Sequence, residues 1–261
     1  MNRLKNASRR ALTLVFAATF FLCIAEPLVA QPPPSGDLQI TFKYLGAPPP
    51  PPQALPGVVP IPKVLVNPTN NGLKNVVVYA YTSRRGGMQL PPQNQPRKNV
   101  NVTINNRQFD PHITIAQTGD RLHFVNRGVD SHNVNGLFLA NAPFGGFLGP
   151  GQRLTCNLVK PEPTVAGVQD NIYPWMQAYL LVVDHPFAAV SDGDGKLIIK
   201  GLPVGNVKLR AWHENGTFSK RIFDNGVETQ WPKNILEFNL KAGLNDYGTV
   251  EVPADQLRIN W

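Results

Sequence analysis

Apolar and polar residues alternate in short runs along most of the chain, and the period is two. Leu38, Ile40, Phe42 and Tyr44 fall on one face of an extended segment, with Gln39, Thr41 and Lys43 on the other. That is the pattern of a half-buried strand. Val76-Val77-Val78-Tyr79-Ala80-Tyr81 is a second strongly β-prone run. Between them, residues 48–62 are rich in proline, which supplies no ladder donors, so this stretch predicts an extended connector. Residues 84–98, polar and rich in Pro and Gly, predict a second linker or long loop.

From residue 99 the alternation tightens. Val100, Val102 and Ile104 predict a strand, and Ile113 and Ile115 with Leu122 and Phe124 about a Gly119-Asp120 turn predict a hairpin. Residues 129–151, full of Asn, Gly and Pro, predict mostly loop, and residues 154–159 another strand. Residues 179–183 are continuously apolar, the signature of a central strand covered on both faces. Turns at 191–195 and 201–205 then separate strands at 197–199, 207–211, 235–240 and 250–252. No useful helical period follows residue 30. The fold class predicted is therefore all-β, with sandwich or barrel architecture.

The first thirty residues belong to a different class. Arg3, Lys5, Arg9 and Arg10 precede an apolar run over 11–25, then Leu28-Val29-Ala30 before Gln31. This predicts a secretory signal peptide over 1–30, hence a periplasmic or secreted protein with no membrane span after cleavage. The whole chain carries +8, and removing four basic residues and Glu26 with the leader leaves +5. No run of Lys and Arg with interleaved aromatics appears, which argues against nucleic acid as a partner. Cys23 leaves with the leader, so the mature chain holds one thiol, Cys156, and can form no internal disulfide. Alternation places Cys156 on one face with Leu154 and Leu158, as a small core residue.

The candidate chemistry lies in Ser131-His132-Asn133 and, downstream, Asp170-Asn171-Ile172-Tyr173-Pro174-Trp175-Met176. A mid-domain imidazole, followed by a cluster of donors on a loop just before a core strand, is an arrangement that fixes ligands on rigid elements. A blue-copper centre needs a thiolate, two imidazoles and a weak axial ligand. Here His132 and Met176 are the available imidazole and thioether, and Asp170 and Tyr173 offer oxygen donors.

Residues 37–215 resemble secreted bacterial cupredoxin-like proteins of the plastocyanin-like or methylamine-utilisation-protein-like kind. The matching pieces include Pro111-His112-Ile113, Gly119-Asp120, Ser131-His132-Asn133-Val134 and Tyr173-Pro174-Trp175-Met176. Asp184-His185-Pro186-Phe187, Asp194-Gly195-Lys196-Leu197, Leu202-Pro203-Val204-Gly205 and Ala211-Trp212-His213-Glu214 continue the match. The family's late motif reads Cys-x-x-His-Pro-Trp-Met, so the resemblance implies that Asp170 stands in the place of the thiolate and Tyr173 in that of the second imidazole. Arg107 stands where the family often has another Cys. The resemblance implies a type-1 copper electron carrier, and these exchanges imply that the copper site has degenerated. Residues 187–212 separately resemble a carboxypeptidase-regulatory-like or starch-binding-like sandwich.

The expected organisation is a cupredoxin-like Greek-key sandwich at 99–184 and an immunoglobulin-like sandwich at 185–261, with N-terminal strands and linker at 31–98. Residues 36–98 and 186–261 are expected to form one sandwich interrupted by the cupredoxin-like unit. Pairing of the 76–81 strand only with strands from 99–184 would exclude this.

The expected function is that of an exported, non-enzymatic binding or structural protein meeting an unknown protein or cell-surface partner, with no cofactor or with copper. One alternative is a transition-metal-binding electron-transfer protein. It would use a harder site of His132, Asp170 and Tyr173 with weak Met176, or a blue site rebuilt with Cys156. Another alternative is a carbohydrate-binding module, for which Trp175, Trp212 or Trp231 would share one exposed platform.

His112, which could approach His132, is expected at the surface or hydrogen-bonded. His123 is expected to face solvent, and His185 and His213 to be structural. Asp192-x-Asp194-Gly195 lacks the later bidentate Glu of a calcium loop and reads as a hairpin turn.

Overall fold

The computed structural model describes residues 34–257 apart from 48, 50–61, 63, 84–85 and 91–95. The expected leader and most of the first proline-rich connector lie outside the described residues. Among the described residues, two strands precede residue 99: β1 (Ser35–Leu45) and β2 (Val77–Ala80). Nine follow: β3 (Asn99–Asn105), β4 (Gln108–Asp110), β5 (Ile113–Gln117), β6 (Arg121–Asn126), β7 (His132–Gly136), β8 (Phe144–Leu148), β9 (Arg153–Asn157), β10 (Ala166–Asp170) and β11 (Gln177–Val183). The remainder comprises β12 (Ala188–Val190), β13 (Lys196–Pro203), β14 (Gly205–Trp212), β15 (Ile222–Asp224), β16 (Val227–Thr229), β17 (Ile235–Leu240) and β18 (Gly243–Pro253). The helices among the described residues are two three-residue 3₁₀ turns, Pro232–Asn234 and Ala254–Gln256. None is long and apolar enough to cross a membrane.

Four sheets result, with orders β4-β3-β6-β9, β5-β11-β10-β7-β8, β13-β1-β18-β15-β16 and β12-β2-β14-β17. The first two use only β3 to β11, and the last two only strands from before residue 99 and after 184. β1 lies antiparallel to β13 and parallel to β18, while β2 lies antiparallel to β12 and β14. The 76–81 strand therefore pairs outside 99–184.

Each pair of sheets encloses its own core. The clean alternation of β1 buries Leu38, Ile40, Phe42 and Tyr44 against Val78, Leu209, Phe218 and Trp231. Val102, Ile104, Phe124, Leu148, Cys156 and Leu180 lie in the other core. β11 is covered on both sides: Leu180 and Val182 face that core, and Leu181 and Val183 join Val77, Tyr79 and Ile113 in a third cluster between the two sheet pairs. Gly195 is required where the 191–195 turn meets β1. Its φ is +77°, and a Cβ there would lie 1.9 Å from the Phe42 carbonyl oxygen.

Three local expectations need correction, and that of a mostly loop 129–151 segment needs refinement. β5 and β6 are not a hairpin, because each pairs in parallel with a distant strand, β11 and β3 respectively. The Gly119-Asp120 turn carries the chain between sheets, with the Asp120 carboxylate accepting from the Gln117 and Lys98 N–H groups. The 191–195 turn likewise joins strands of different sheets, β12 and β13. Its Asp192 Oδ1 accepts from the Asp194 and Lys196 N–H groups, which fixes the turn. Residues 129–151 contain β7 and β8, since the ring of Phe144 lies over the bare backbone of its cross-strand partner Gly136. His123 is buried, because Thr155 (2.9 Å) and Asn99 (3.2 Å) hydrogen-bond its two ring nitrogens from flanking strands.

Candidate functional site

His132 opens β7, and Asp170 ends its neighbour β10. This register brings His132 Nδ1 to 2.9 Å from Asp170 Oδ2. Both residues are 1% exposed. The other carboxylate oxygen, Oδ1, accepts from the backbone N–H groups of Ile172 (2.7 Å) and Tyr173 (3.0 Å). A buried carboxylate is costly unless its lone pairs are met, and here three donors converge on it. The following loop is closed on itself: Met176 N–H donates to the Tyr173 carbonyl, and Asp170 N–H to the Met176 carbonyl. Asn171 N–H donates to the Asn133 carbonyl and ties the loop to β7.

Tyr173 stacks obliquely on His132, with ring centroids 5.3 Å apart. Its phenol lies beside the Arg107 and Asp130 side chains. Arg107 Nε donates to Asp130 Oδ2 at 3.0 Å, and its guanidinium covers the Tyr173 ring at 4.9 Å. The hydrogen bond and the charge of Arg107 hold the Asp130 carboxyl below the usual range. Met176 is fully buried among apolar side chains. Trp175 leans on Tyr173 at 5.4 Å.

The structure thus joins His132 directly to Asp170, sets the Tyr173 ring beside them and turns its phenol toward Arg107 and Asp130. Cys156 is on β9, in the sheet opposite β7 and β10, and faces the core. Burial pushes its thiol pKa up, away from the thiolate that copper takes. The donors at the site therefore do not fit a blue-copper centre, which needs a thiolate and two imidazoles. Among the described residues, no group of three or more His, Cys, Asp or Glu side chains is placed to hold a metal ion.

The other histidines lie away from this pair. His112 does not meet His132; its Nε2 lies 2.7 Å from Glu214 Oε1. His185 and His213 are buried, at 1% and 2% exposure. Burial lowers both pKa values, that of His213 to about 4. Trp231, Trp175 and Trp212 lie in three different clusters and form no common platform. Sequence reasoning missed the Arg107–Asp130–Tyr173 contact and the Glu162 carboxylate. Glu162 accepts from the backbone N–H groups of Leu139, Ala140 and Asn141 and from Asn141 Nδ2. Neither arrangement has a local sequence signal.

No family model matches this chain, and neither does any curated protein. Similar solved structures include the reduced state of a phenylalanine-for-proline mutant of amicyanin, 19% identical over 32% of this chain and 80% of that one, with a TM-score of 0.29. A glutamine-for-methionine mutant of amicyanin in its Cu(I) form is 17% identical over 32% of this chain and 81% of that one, with a TM-score of 0.30. A purple cupredoxin from Nitrosopumilus maritimus is 15% identical over 32% of this chain and 98% of that one, with a TM-score of 0.28.

Proposed function

We propose that this chain is an exported, non-enzymatic binding or structural protein built on a cupredoxin-like sandwich, in which a hydrogen-bonded carboxylate–imidazole pair has replaced copper. We further propose that residues 99–184 form that sandwich as an insertion within an immunoglobulin-like one made by 36–98 and 185–261. The strand pairing, in which β1 and β2 join only strands from beyond residue 184, supports the insertion.

The observation that carries the functional reading is the 2.9 Å contact between His132 Nδ1 and Asp170 Oδ2. His132 Nδ1 and both carboxylate oxygens already have hydrogen-bond partners. A metal would have to break these contacts in a site with almost no exposure and win without a thiolate. Leu137, Leu139 and Phe147 are exposed on the same sandwich and support a protein partner for it.

Metal analysis of protein purified from the periplasm, with Cu(II) and Zn(II) titrations followed by visible absorption and thermal melting, tests the reading. No stoichiometric metal, no intense visible band and no metal-dependent rise in Tm are expected. Stoichiometric metal that is lost in His132→Ala overturns it.

A further inference from the structure

The two sheet pairs meet along a seam where the outer face of β2, β12 and β14 packs on the outer face of β5 and β11. At one end of the seam Trp212 contacts Tyr179, with ring centroids 5.0 Å apart. At the other end the faces part around a cleft of about 560 Å³, lined from both sides. That volume lies within the range of small-molecule sites, which favour such junctions.

Alternation along β2 sends Tyr79 and Tyr81 toward the cleft. Arg210 is the cross-strand partner of Tyr79 on β14, and its guanidinium lies 4.5 Å from the Tyr81 ring centroid. The charge of the guanidinium opposes the rise that burial gives the Tyr79 phenol pKa. Lys208, two residues earlier on β14, is paired with Glu237 at 3.2 Å. Arg210 has no carboxylate partner among the described residues, and its Nε has no hydrogen-bond partner there.

Two carboxylates also line the cleft. Both oxygens of Glu162 are taken by backbone and Asn141 donors, and Asp184 is exposed at the rim. His185 lines the cleft at 1% exposure. Its Nε2 donates to the Ala80 carbonyl at 3.1 Å, which leaves Nδ1 an acceptor without a partner among the described residues. Val183, Pro161 and Pro163 supply an apolar stretch of wall, and Thr82 and Ser83 add polar groups.

We propose that this cleft binds a small carboxylate with a flat apolar body, its charge taken by Arg210 and its body held between Tyr79, Tyr81 and the proline–valine wall. A guanidinium braced by an aromatic ring and lacking an anion of its own is suited to this. Its donors form a planar fork matched to a carboxylate, and the Tyr81 ring fixes its orientation without consuming them. This site is separate from the His132–Asp170 pair and does not depend on its reading.

The test uses the full mature chain with 4-hydroxybenzoate as probe and 4-hydroxybenzamide, of the same shape without the charge, as comparison. Calorimetric titration is expected to give saturable 1:1 binding of the acid at about millimolar Kd or tighter, with the amide at least about tenfold weaker. Arg210→Gln should weaken the acid by at least about tenfold while near-ultraviolet circular dichroism stays native. Should that variant not fold, Tyr81→Ala replaces it with the same expectation. Absence of saturable binding, equal affinity for acid and amide, or unchanged affinity in the folded variant overturns the proposal.

Discussion

His112 Nε2 lies 2.7 Å from Glu214 Oε1, and the two residues belong to different sheet pairs. His112 precedes β5, and Glu214 follows β14. The Glu214 side chain is 9% exposed, so this contact is better shielded from water than a surface ion pair. The Tyr179 phenol also lies beside Glu214. Burial first, and then that carboxylate, push the phenol pKa well above its ordinary value. One carboxylate therefore serves two groups from the 99–184 segment. Glu214→Ala strips both of their partner and is expected to destabilise the chain by about 2 kcal/mol in urea unfolding. Amide exchange should quicken selectively in β5 and β11. A loss within experimental error of zero would show the pair to be ornamental.

Asp170 and Tyr173 make a second prediction. If they are what separates this frame from a copper site, replacing them with the motif's own donors should create one. Asp170→Cys with Tyr173→His places a thiolate and a second imidazole beside His132 and Met176. Cu(II) added to the double variant is expected to give an intense visible band, because thiolate-to-copper charge transfer accompanies such a donor set. Either single variant should give a markedly weaker band or none. A colourless double variant that is folded by circular dichroism would mean that the loop no longer presents its donors as the motif does.

His213 links the fold to pH. It is buried, and loss of hydration is the main cause that lowers its pKa to about 4, from an ordinary value of 6.5. The folded state thus binds this proton less readily than the unfolded state. Above pH 6.5 both states hold a neutral imidazole and its contribution to stability is constant. As pH falls from 6.5 toward 4 the unfolded state takes up the proton first, so stability declines, by an amount on the order of 3 kcal/mol across the window. Below about pH 4 this contribution levels off. Urea midpoints measured from about pH 8 to about pH 4 should show the decline, and His213→Phe should flatten that part of the profile. An unchanged slope in the variant would assign the acid sensitivity to other groups.

The strands were legible wherever one face is apolar and the next polar, as in Leu38, Ile40, Phe42 and Tyr44. The unbroken apolar run of β11 was legible as a strand with two covered faces. Pairing was less so. Ile113 and Leu122 flank a turn and read as a hairpin, because nothing local reports that β5 and β6 go to different sheets. β7 and β8 were masked by Asn and Gly, whose low strand preference is overcome by the Phe144 ring covering Gly136. At the candidate site, the roles of His132 and Asp170 depend on a cross-strand register that lies 38 positions apart in the chain. The Arg107–Tyr173 and Arg210–Tyr81 contacts depend on how separate strands stack, and periodicity within one strand carries no trace of them.

β1 has one further consequence, for the order of events when the chain folds. Its parallel neighbour is β18, with Gly36 opposite Gly243 and Leu45 opposite Pro253. Roughly two hundred residues must therefore be made before the earliest described strand acquires that partner. Closing so long a loop adds little to the equilibrium cost but delays the step that rewards it. Until then the backbone edge of β1 that β18 takes remains without that partner, while β3 to β11 can collapse without it. A strand edge that waits so long for its ladder partner is the place where the chain is most open to pairing with a wrong strand during synthesis.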